Sequence, residues 1–479
     1  MSLGAFGAKK HALIVVVLLS LLVLYSFATA TGTTSTQASS SPIKHTVVIV
    51  EENHTFDNYF GTYPGANGIS GATPQPFTNS SGTYLIKPFM INTTTISQDL
   101  CHASACAREA YDNGSMDGFL TASNSTLSMG YFNPSLIPYY WDYASQFVLL
   151  DNFFSSVLGP SLPNHLYLVA GQSGGLVGDT TYGAINFTSS TVYNNAFHFT
   201  TVVDELDAKN ISWKYYAGGY QSLNDWNPLP AFPQIYTNQT LLGRIAPADQ
   251  FLTDIANHSL PSVSWIMPAS DEASEHPPYN ITTGELDVVS TINAVMSSEY
   301  WNSTAIFVTW DDYGGWYDHV TPPQVDQYGY GFRVPCLIIS PYAKQGFIDN
   351  TQGDFTSILK FVETVFSLQP LTARDASANS LMEAFDFSQA PRQSLVLPGP
   401  YLPDHYPLTL ASTTLSGNAS TSSISATTSI ASNTSGVPSS NPTDLIAVTL
   451  LAVPAIACLA LLLWPRRSRR SRGGEPPDR

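Results

Sequence analysis

Short apolar runs alternate with helical patterns along the middle of the chain. The runs predict buried strands at residues 45–50, 147–154, 211–217, 262–268, 304–310 and 334–341. Residues 248–257, 284–298 and 354–366 place apolar side chains at i, i+3 and i+4, which predicts helices, with Asp354 as the N-cap of the last. Strands that alternate with helices predict an α/β domain with a mainly parallel central sheet and helices on both faces.

Two longer apolar segments lie on either side of this domain. Residues 1–30 carry two lysines before an apolar run, which is typical of a signal peptide or of an uncleaved membrane anchor. Residues 445–464 are long enough to span a bilayer, and the arginine-rich tail at 465–479 favours a transmembrane helix over a buried core helix. Both basic flanks belong on the cytoplasmic side, so we expect a protein of the cell membrane with its domain outside.

The segments next to the domain, and its cysteines, agree with export. Residues 31–41 and 411–443 are rich in Ser and Thr, which predicts a linker and a flexible stalk around a domain at 42–410. N-x-S/T sequons recur along the chain and indicate a glycoprotein. Cys101 and Cys106 are close enough in sequence to pair, as an oxidising compartment allows.

The charge of the chain limits its partners. Charged residues make up 11% of the sequence and the formal net charge is -17. We therefore expect no nucleic-acid partner, because binding to a phosphate backbone needs a basic surface. The acidic balance also leads to the hypothesis that the protein works in an acidic medium.

Acidic side chains follow two of the predicted strands directly. Glu52 and Asn53 come after the first strand, and Asp311 and Asp312 come after the strand at 304–310. Ligands of open α/β sheets bind beyond the carboxyl ends of strands. Clustered there, these oxygen donors would suit a divalent ion such as Mg²⁺, Ca²⁺ or Mn²⁺. The alternative is that each of these side chains caps a helix or faces water.

A serine at a predicted turn is a candidate nucleophile. Ser161 follows Gly159 and Pro160, and Pro163 is the expected first residue of the next helix. Backbone N–H groups at a helix N-terminus can hold an anion beside such a serine. On local sequence alone, an ordinary N-cap serine is the better explanation of the pattern, and the metal and histidine candidates elsewhere in the chain favour the nucleophile.

These polar segments together resemble those of one family, in sequence and in order. The segments are VVIVEENHTFDNYFGTYPG, DLCH, YDNGSMDGF, GPSLPNHLYL, LPSVSWIMPASDEASEHPP, TWDDYGGWYDHVTPP, VPCLIISPYAKQGF and AFDFSQAPR. They resemble the bacterial and archaeal phosphoesterases that include non-specific phospholipases C and acid phosphatases. The resemblance implies a fold similar to that of alkaline phosphatase and the hydrolysis of phosphate esters.

The resemblance also assigns roles to individual residues. It implies metal ligands at Glu52, Asn53, Asp311 and Asp312, a nucleophile at Ser161, and histidines at the phosphate at His102, His276 and His319. Two positions depart from the family pattern. The family often has arginine where His165 stands, and often has histidine where Phe355 stands. We expect these departures to alter rate or substrate choice.

The expected function is metal-dependent hydrolysis of phosphate esters through a serine. The substrate is a phospholipid or a soluble phosphoester, so phospholipase C and acid phosphatase activities both stay open. A non-catalytic surface or envelope glycoprotein with a degenerate phosphoesterase domain is the alternative from another class, but the chain keeps Ser161 and every proposed ligand. A sulfatase-like enzyme is disfavoured because the segment around Ser161 lacks the expected arginine.

Overall fold

The computed structural model describes residues 41–178 and 197–399, which build a central sheet of eight strands. The strands are β1 (His45–Glu51), β2 (Val148–Leu150), β3 (Trp213–Tyr216), β4 (Ile245–Ala246), β5 (Val263–Ile266), β6 (Thr304–Trp310), β7 (Cys336–Ile339) and β8 (Phe347–Asp349). Their order across the sheet is β8-β2-β7-β6-β1-β5-β3-β4. Only β7 pairs with its neighbours in the antiparallel sense, so the prediction of a mainly parallel α/β sheet is confirmed.

Helices connect most of these strands. They are α1 (Phe56–Phe60), α2 (Ser104–Tyr111), α3 (Phe119–Ala122), α4 (Pro138–Gln146), α5 (Ser161–Ala170), α6 (Val202–Ala208), α7 (Pro233–Tyr236), α8 (Gln239–Leu242), α9 (Gln250–Ala256), α10 (Ile281–Met296), α11 (Phe355–Phe366) and α12 (Ala373–Ser377). The predicted helices correspond to α9, α10 and α11. Asp354 caps α11 in a capping box with Ser357, as its sequence predicts.

The two central strands, β1 and β6, form the apolar centre of the fold. Every residue of β6 is buried, and β1 is buried from its second residue onward. A strand covered on both faces reads as a continuous apolar run, which is why both were predictable from sequence. Their predicted bounds agree with the structure to within one residue.

Other predicted elements need correction. Residues 147–154 do not form one strand, because β2 ends at Leu150 and Phe153–Phe154 pairs with Gly353–Asp354 in a separate small sheet. The strands β4 and β8 were missed because they are only two and three residues long. The helix α5 begins at Ser161 rather than at Pro163, since Pro160 takes the N-cap position with an extended backbone.

Two smaller pairs of strands and a disulfide complete the described part of the chain. Gln75–Asn79 pairs with Gly82–Ile86, and Phe89–Ile91 pairs with Gly130–Phe132. The predicted pairing of Cys101 with Cys106 is confirmed.

The described ranges contain no helix that is both long and apolar enough to cross a membrane. The apolar segments predicted to be a signal peptide or anchor and a transmembrane helix, the stalk and the basic tail all lie outside the described residues.

Candidate active site

The register of β1 and β6 brings two acidic segments together. The strands are parallel, and Glu51 is the register partner of Trp310. The Asp311 N–H donates to Glu51 O at 3.0 Å, so the ladder continues for one residue past β6. Glu52 and Asp311 therefore leave the sheet side by side, and both are buried. The meeting of acidic side chains from distant parts of the sequence is the arrangement that the strand ends predicted.

Asn53 joins this acidic pair through an unusual backbone conformation. Its φ of 62° is in the left-handed region, where asparagine is among the better tolerated residues. The Asn53 amide oxygen lies 3.1 Å from Glu52 Oε2 and 2.8 Å from Asp311 Oδ1. Three acceptor oxygens thus face one another. Turning the amide over would satisfy both carboxylates by hydrogen bonds, whereas the orientation with oxygen inward is the one that a bound cation requires.

Burial makes it costly for the carboxyl groups of this cluster to be charged. Burial, and then the charges of Asp311 and Asp312, raise the pKa of Glu52 well above its usual range. Burial alone would raise the pKa of Asp311 too, but the nearby His165 ring and Ser161 hydroxyl lower it overall. Asp311 Oδ2 is buried and has no hydrogen-bond partner among the described residues. A bound divalent cation would offset the cost of burying these carboxylates and would give Asp311 Oδ2 a partner. The donor set therefore fits a metal ion.

Asp312 lies beside the cluster with its backbone firmly held. Its N–H donates to Asp311 Oδ1 at 2.8 Å, and its own Oδ1 accepts from Gly314 N at 2.8 Å. Gly314 has a φ of +58°, and a Cβ there would lie 2.2 Å from Asn53 O. A glycine is therefore required where this turn packs against the Asn53 backbone. Asp312 as a metal ligand stays a prediction.

Ser161 is the first residue of α5 and faces the acidic cluster. Its Oγ lies 3.4 Å from Glu52 Oε2, within a long hydrogen bond. Asn164, one turn into the same helix, holds the preceding turn in place. It accepts from the N–H groups of Ser156 and Val157 at 2.9 and 3.1 Å, and it donates to the carbonyls of residues 159 and 160. This role of Asn164 is not evident from the sequence.

His102 and His276 approach Asn53 from the other side. The ring Nδ1 of His102 contacts Leu100 O at 2.9 Å, and that of His276 contacts Pro277 O at 2.6 Å. A carbonyl only accepts, so both Nδ1 atoms carry protons and both Nε2 atoms are left for the site. These Nε2 atoms lie 3.4 and 3.0 Å from the Asn53 amide nitrogen. The structure thus brings both predicted histidines to the cluster.

Charge and packing hold these two histidines. Burial by itself lowers the pKa of His102, but the carboxylates of Asp312 and Asp99 raise it overall above its ordinary value. Glu275, next to His276 in sequence, is buried and accepts hydrogen bonds from side chains of three separate elements. The donors are Tyr59 at 2.8 Å, Tyr140 at 2.6 Å and Trp310 at 2.9 Å. Glu275 is therefore an anchor of the loop that carries His276, and its pairing partners are not evident from sequence.

His319 lies in a different cluster. Its Nδ1 is 2.7 Å from Asp57 Oδ2, and its Nε2 is 3.2 Å from Asn67 Oδ1. Arg333 is fully buried there and pairs with Asp318 at 2.8 Å and with Asp57 at 3.0 Å. The structure does not bring His319 to Ser161, so its predicted role at the phosphate gains no support from the geometry.

The two positions that depart from the family pattern are both buried. Phe355 begins α11 and packs against Phe153, with ring centroids 5.9 Å apart. His165 lies one helical turn after Ser161, and its Nε2 is 3.6 Å from Asp311 Oδ2. Its i, i+4 spacing from Ser161 is the sequence signal that could have placed it at the site.

A cleft of about 820 Å³ opens onto the cluster. Glu52, Ser161, His102 and His276 all line it, and Trp226 and Tyr279 add aromatic walls. Among the described residues that line the cleft there is no lysine or arginine. An anionic substrate would have to be held by histidines, by N–H groups at the start of α5 and by a cation.

Comparison with known proteins places this site in a family. The model of the phosphoesterase family matches residues 43–369, which include Glu52, Ser161 and Asp311. The chain belongs to the phosphoesterase family. Membership makes it a hydrolase that acts on phosphoric ester bonds.

Several curated relatives of this phosphoesterase are phospholipases C by name. Phospholipase C B of Mycobacterium tuberculosis is 28% identical over 418 residues, covering 74% of this chain and 79% of the relative. Non-hemolytic phospholipase C of Pseudomonas aeruginosa is also 28% identical, covering 76% of this chain and 59% of the relative. Non-specific phospholipase C6 of Arabidopsis thaliana is 27% identical and covers 74% of each chain.

Solved structures resemble the phosphoesterase more distantly. A protein of the alkaline phosphatase superfamily from Vibrio parahaemolyticus is 13% identical, with a TM-score of 0.37, covering 71% of this chain and 70% of that one. The lipoteichoic acid synthase LtaP of Listeria monocytogenes is 8% identical, with a TM-score of 0.37, covering 71% of this chain and 77% of that one.

Proposed function

We propose that this phosphoesterase is a metal-dependent hydrolase of phosphoric diesters, of the phospholipase C type, with Ser161 as its nucleophile. The observation that carries the proposal is the contact of Ser161 Oγ with Glu52 Oε2, at 3.4 Å, where the acidic cluster meets the cleft. The names of the relatives favour a diester over a monoester substrate.

The serine is positioned for attack on phosphorus. The hydrogen bonds of Asn164 to the carbonyls of residues 159 and 160 hold the turn that leads into Ser161, and Ser161 itself lines the cleft. A divalent cation bound by Glu52, Asn53 and Asp311 would lower the pKa of the Ser161 hydroxyl and offset charge on the phosphate. The Ser161 hydroxyl gives up its proton to solvent as its oxygen bonds to phosphorus, the bond to the leaving alcohol breaks, and a phosphoserine forms that still carries the other ester group of the substrate.

The histidines supply protons and hold the phosphate. The Nε2 atoms of His102 and His276 face the site, where a protonated ring can donate to non-bridging oxygens. One of them donates a proton to the leaving alcohol, which a lipid or alkyl leaving group requires. A water molecule then attacks the phosphoserine and gives up a proton to the neutral histidine. The bond between phosphorus and the Ser161 oxygen breaks, a phosphomonoester leaves, and Ser161 regains a proton from solvent.

The setting of the domain is part of the same proposal. The terminal segments at 1–30 and 445–464 have the composition of an export signal or anchor and of a membrane span. We infer a membrane-anchored enzyme whose catalytic domain lies outside the cell on a Ser/Thr-rich stalk. There it meets phospholipids or soluble phosphodiesters.

The test is a panel of phosphodiesters and phosphomonoesters assayed with the purified full chain, before and after chelator treatment. We expect phosphodiesters to be the better substrates, activity to fall with chelator and return with added cation, and Ser161→Ala to lower kcat by at least about 10³-fold. Ser145→Ala, an exposed serine on α4, is the matched control and should keep full activity. Equal turnover by Ser161→Ala and the parent would remove Ser161 from its role.

A further inference from the structure

His165 is buried without a hydrogen-bond partner. Its side chain is fully buried in α5, and neither Nδ1 nor Nε2 has a hydrogen-bond partner among the described residues. A buried imidazole whose Nδ1 has no partner and whose Nε2 has only a long contact with a carboxylate costs free energy on folding. Such a group at a functional site needs an explanation, and the residue that it faces, Asp311, also has an unmatched oxygen.

The spacing of His165 from its neighbours is that of ligands around one ion. His165 Nε2 lies 3.6 Å from Asp311 Oδ2, which is too far for a hydrogen bond. Ligand atoms of Glu52, His165 and Asp311 all lie within 4.8 Å of one another, and all three residues are buried. Bonds of about 2.0–2.2 Å to a tetrahedral ion place neighbouring ligand atoms about 3.3–3.6 Å apart.

The helix explains how His165 reaches this position. Ser161 and His165 are at i and i+4 in α5, so they share one face of the helix. Ser161 Oγ lies 3.4 Å from Glu52 Oε2, and His165 Nε2 lies near Asp311 Oδ2, so both side chains face the same acidic pair. One turn of helix therefore carries the proposed nucleophile together with a nitrogen donor.

We propose that His165 Nε2 is a ligand of the catalytic cation, completing a mixed nitrogen and oxygen set with Glu52 and Asp311. The proposal rests on the cation of the proposed function. It changes the expected metal, because imidazole suits Zn²⁺ and similar transition-metal ions, whereas Mg²⁺ and Ca²⁺ prefer oxygen alone. The arginine that similar proteins often have at this position cannot serve as a ligand, so the nitrogen donor is a property of this chain.

The test measures binding of the metal itself. The full chain is stripped with chelator, and the affinities for Zn²⁺ and Mg²⁺ are measured by competition with a metal indicator. We expect Zn²⁺ to bind more tightly than Mg²⁺, and His165→Gln to weaken Zn²⁺ by at least about 10-fold. Mg²⁺ affinity should change less, because that ion gains little from the ring. X-ray absorption at the zinc edge should show imidazole scattering in the parent and lose it in His165→Gln.

Two further variants make the result decisive. His258→Gln removes an exposed histidine that contacts Glu299, and it should change neither affinity nor the absorption spectrum. His165→Arg places a longer, charged side chain that cannot coordinate at the same position, and it should also lose Zn²⁺ binding if His165→Gln does not fold.

The failures of the two proposals can be told apart. Unchanged Zn²⁺ affinity and unchanged imidazole scattering in folded His165 variants would overturn this proposal and leave the metal-dependent mechanism in place. A parent protein that binds neither ion, yet hydrolyses phosphodiesters after chelator treatment, would overturn the cation of the proposed function, and this ligand with it.

Discussion

Glu51 and Trp310 are register partners in the parallel pair β1 and β6, and the Asp311 N–H extends that ladder to Glu51 O. Glu52, the first residue after β1, therefore lies beside Asp311. The two segments are far apart in sequence, since Asn53 and Asp311 differ by 258 positions. The register fixes the acidic pair, and the pair in turn fixes where a cation can bind.

The loss of kcat on replacing His276 should depend on whether the leaving group needs a proton. If His276 donates the proton through Nε2, His276→Ala should lower kcat by about 10²–10⁴-fold on alkyl phosphodiesters. Nitrophenyl phosphodiesters should lose much less, because nitrophenolate leaves without a proton. The measurement is kcat for both ester types in the parent and the variant. Equal losses on both would assign His276 to phosphate binding instead of proton donation.

Asn164 determines the geometry of the nucleophile turn. Asn164→Ala leaves the N–H groups of Ser156 and Val157 without their acceptor, so we expect a loss of about 1–3 kcal/mol in the free energy of unfolding. The carbonyls of residues 159 and 160 also lose the amide group that donates to them. The turn before Ser161 is then less well held, so kcat of the folded variant should fall. Asn164→Asp keeps the side-chain oxygen that accepts from these N–H groups. Its free energy of unfolding, measured by denaturant titration, should lie between those of the parent and Asn164→Ala. A variant with unchanged stability and kcat would contradict this assignment.

The cluster around Arg333 is expected to serve stability. Arg333→Ala leaves Asp57 and Asp318 buried without their counter-ion, which should cost about 3–5 kcal/mol of unfolding free energy. His319→Gln should lower the free energy of unfolding and change kcat little, because His319 contacts Asp57 and Asn67 rather than the cleft. Chemical unfolding and steady-state kinetics separate these effects. A large loss of kcat in a stable His319→Gln would return His319 to the catalytic group.

Buried Glu285 predicts that the free energy of unfolding falls as the pH rises from 4.5 to about 8. Burial raises the pKa of Glu285 from its ordinary value of 4.5 to about 8. The folded chain then keeps this proton to higher pH than the unfolded chain does, so stability falls as pH rises from 4.5 to about 8. Glu285→Gln keeps an acceptor for the N–H groups of Tyr139 and Tyr140 and removes the titration.

The comparison of the two proteins isolates this one group. Relative to the parent, Glu285→Gln should gain roughly 2–6 °C in Tm at about pH 8.5 and little at about pH 4.5. Carboxyls far from Glu285 titrate equally in both proteins and cancel, whereas Glu275 and Asp142 interact with it directly. The same difference at both pH values would show that Glu285 does not carry this dependence. The direction agrees with the hypothesis, drawn from composition, of work in an acidic medium.

The sequence predicts the centre of this fold better than its edges. β1 and β6 are covered on both faces, so their apolar runs mark them clearly. β4 and β8 have two and three residues, too few for any pattern to mark them. The start of α5 was misplaced because Pro163 was read as the first helical residue, whereas Pro160 ends the extended segment.

The residues of the site also divide into those that the sequence predicts and those that it does not. Polar residues that follow apolar strands were recognised as a cluster because parallel strands end at one edge of the sheet. Residues that act through individual hydrogen bonds and ion pairs gave no such signal. Asn164 holds carbonyls of its own turn, Glu275 meets three donors from elsewhere, and Arg333 pairs across the fold. His319 was placed at the site by resemblance, and the fold puts its ring beside Asp57.

The most direct test of the central claim is a crystal structure of the protein soaked with Mn²⁺ or Zn²⁺, read by anomalous scattering. Among the described residues, three groups could hold an ion: Glu52 with His165 and Asp311, Asp99 with His102 and His276, and Asp57 with Asp318 and His319. We predict an anomalous peak at the first group, at about 2.0–2.2 Å from oxygens of Glu52 and Asp311 and next to Ser161. A peak only at either of the other groups, with Glu52 and Asp311 free of metal, would contradict the account.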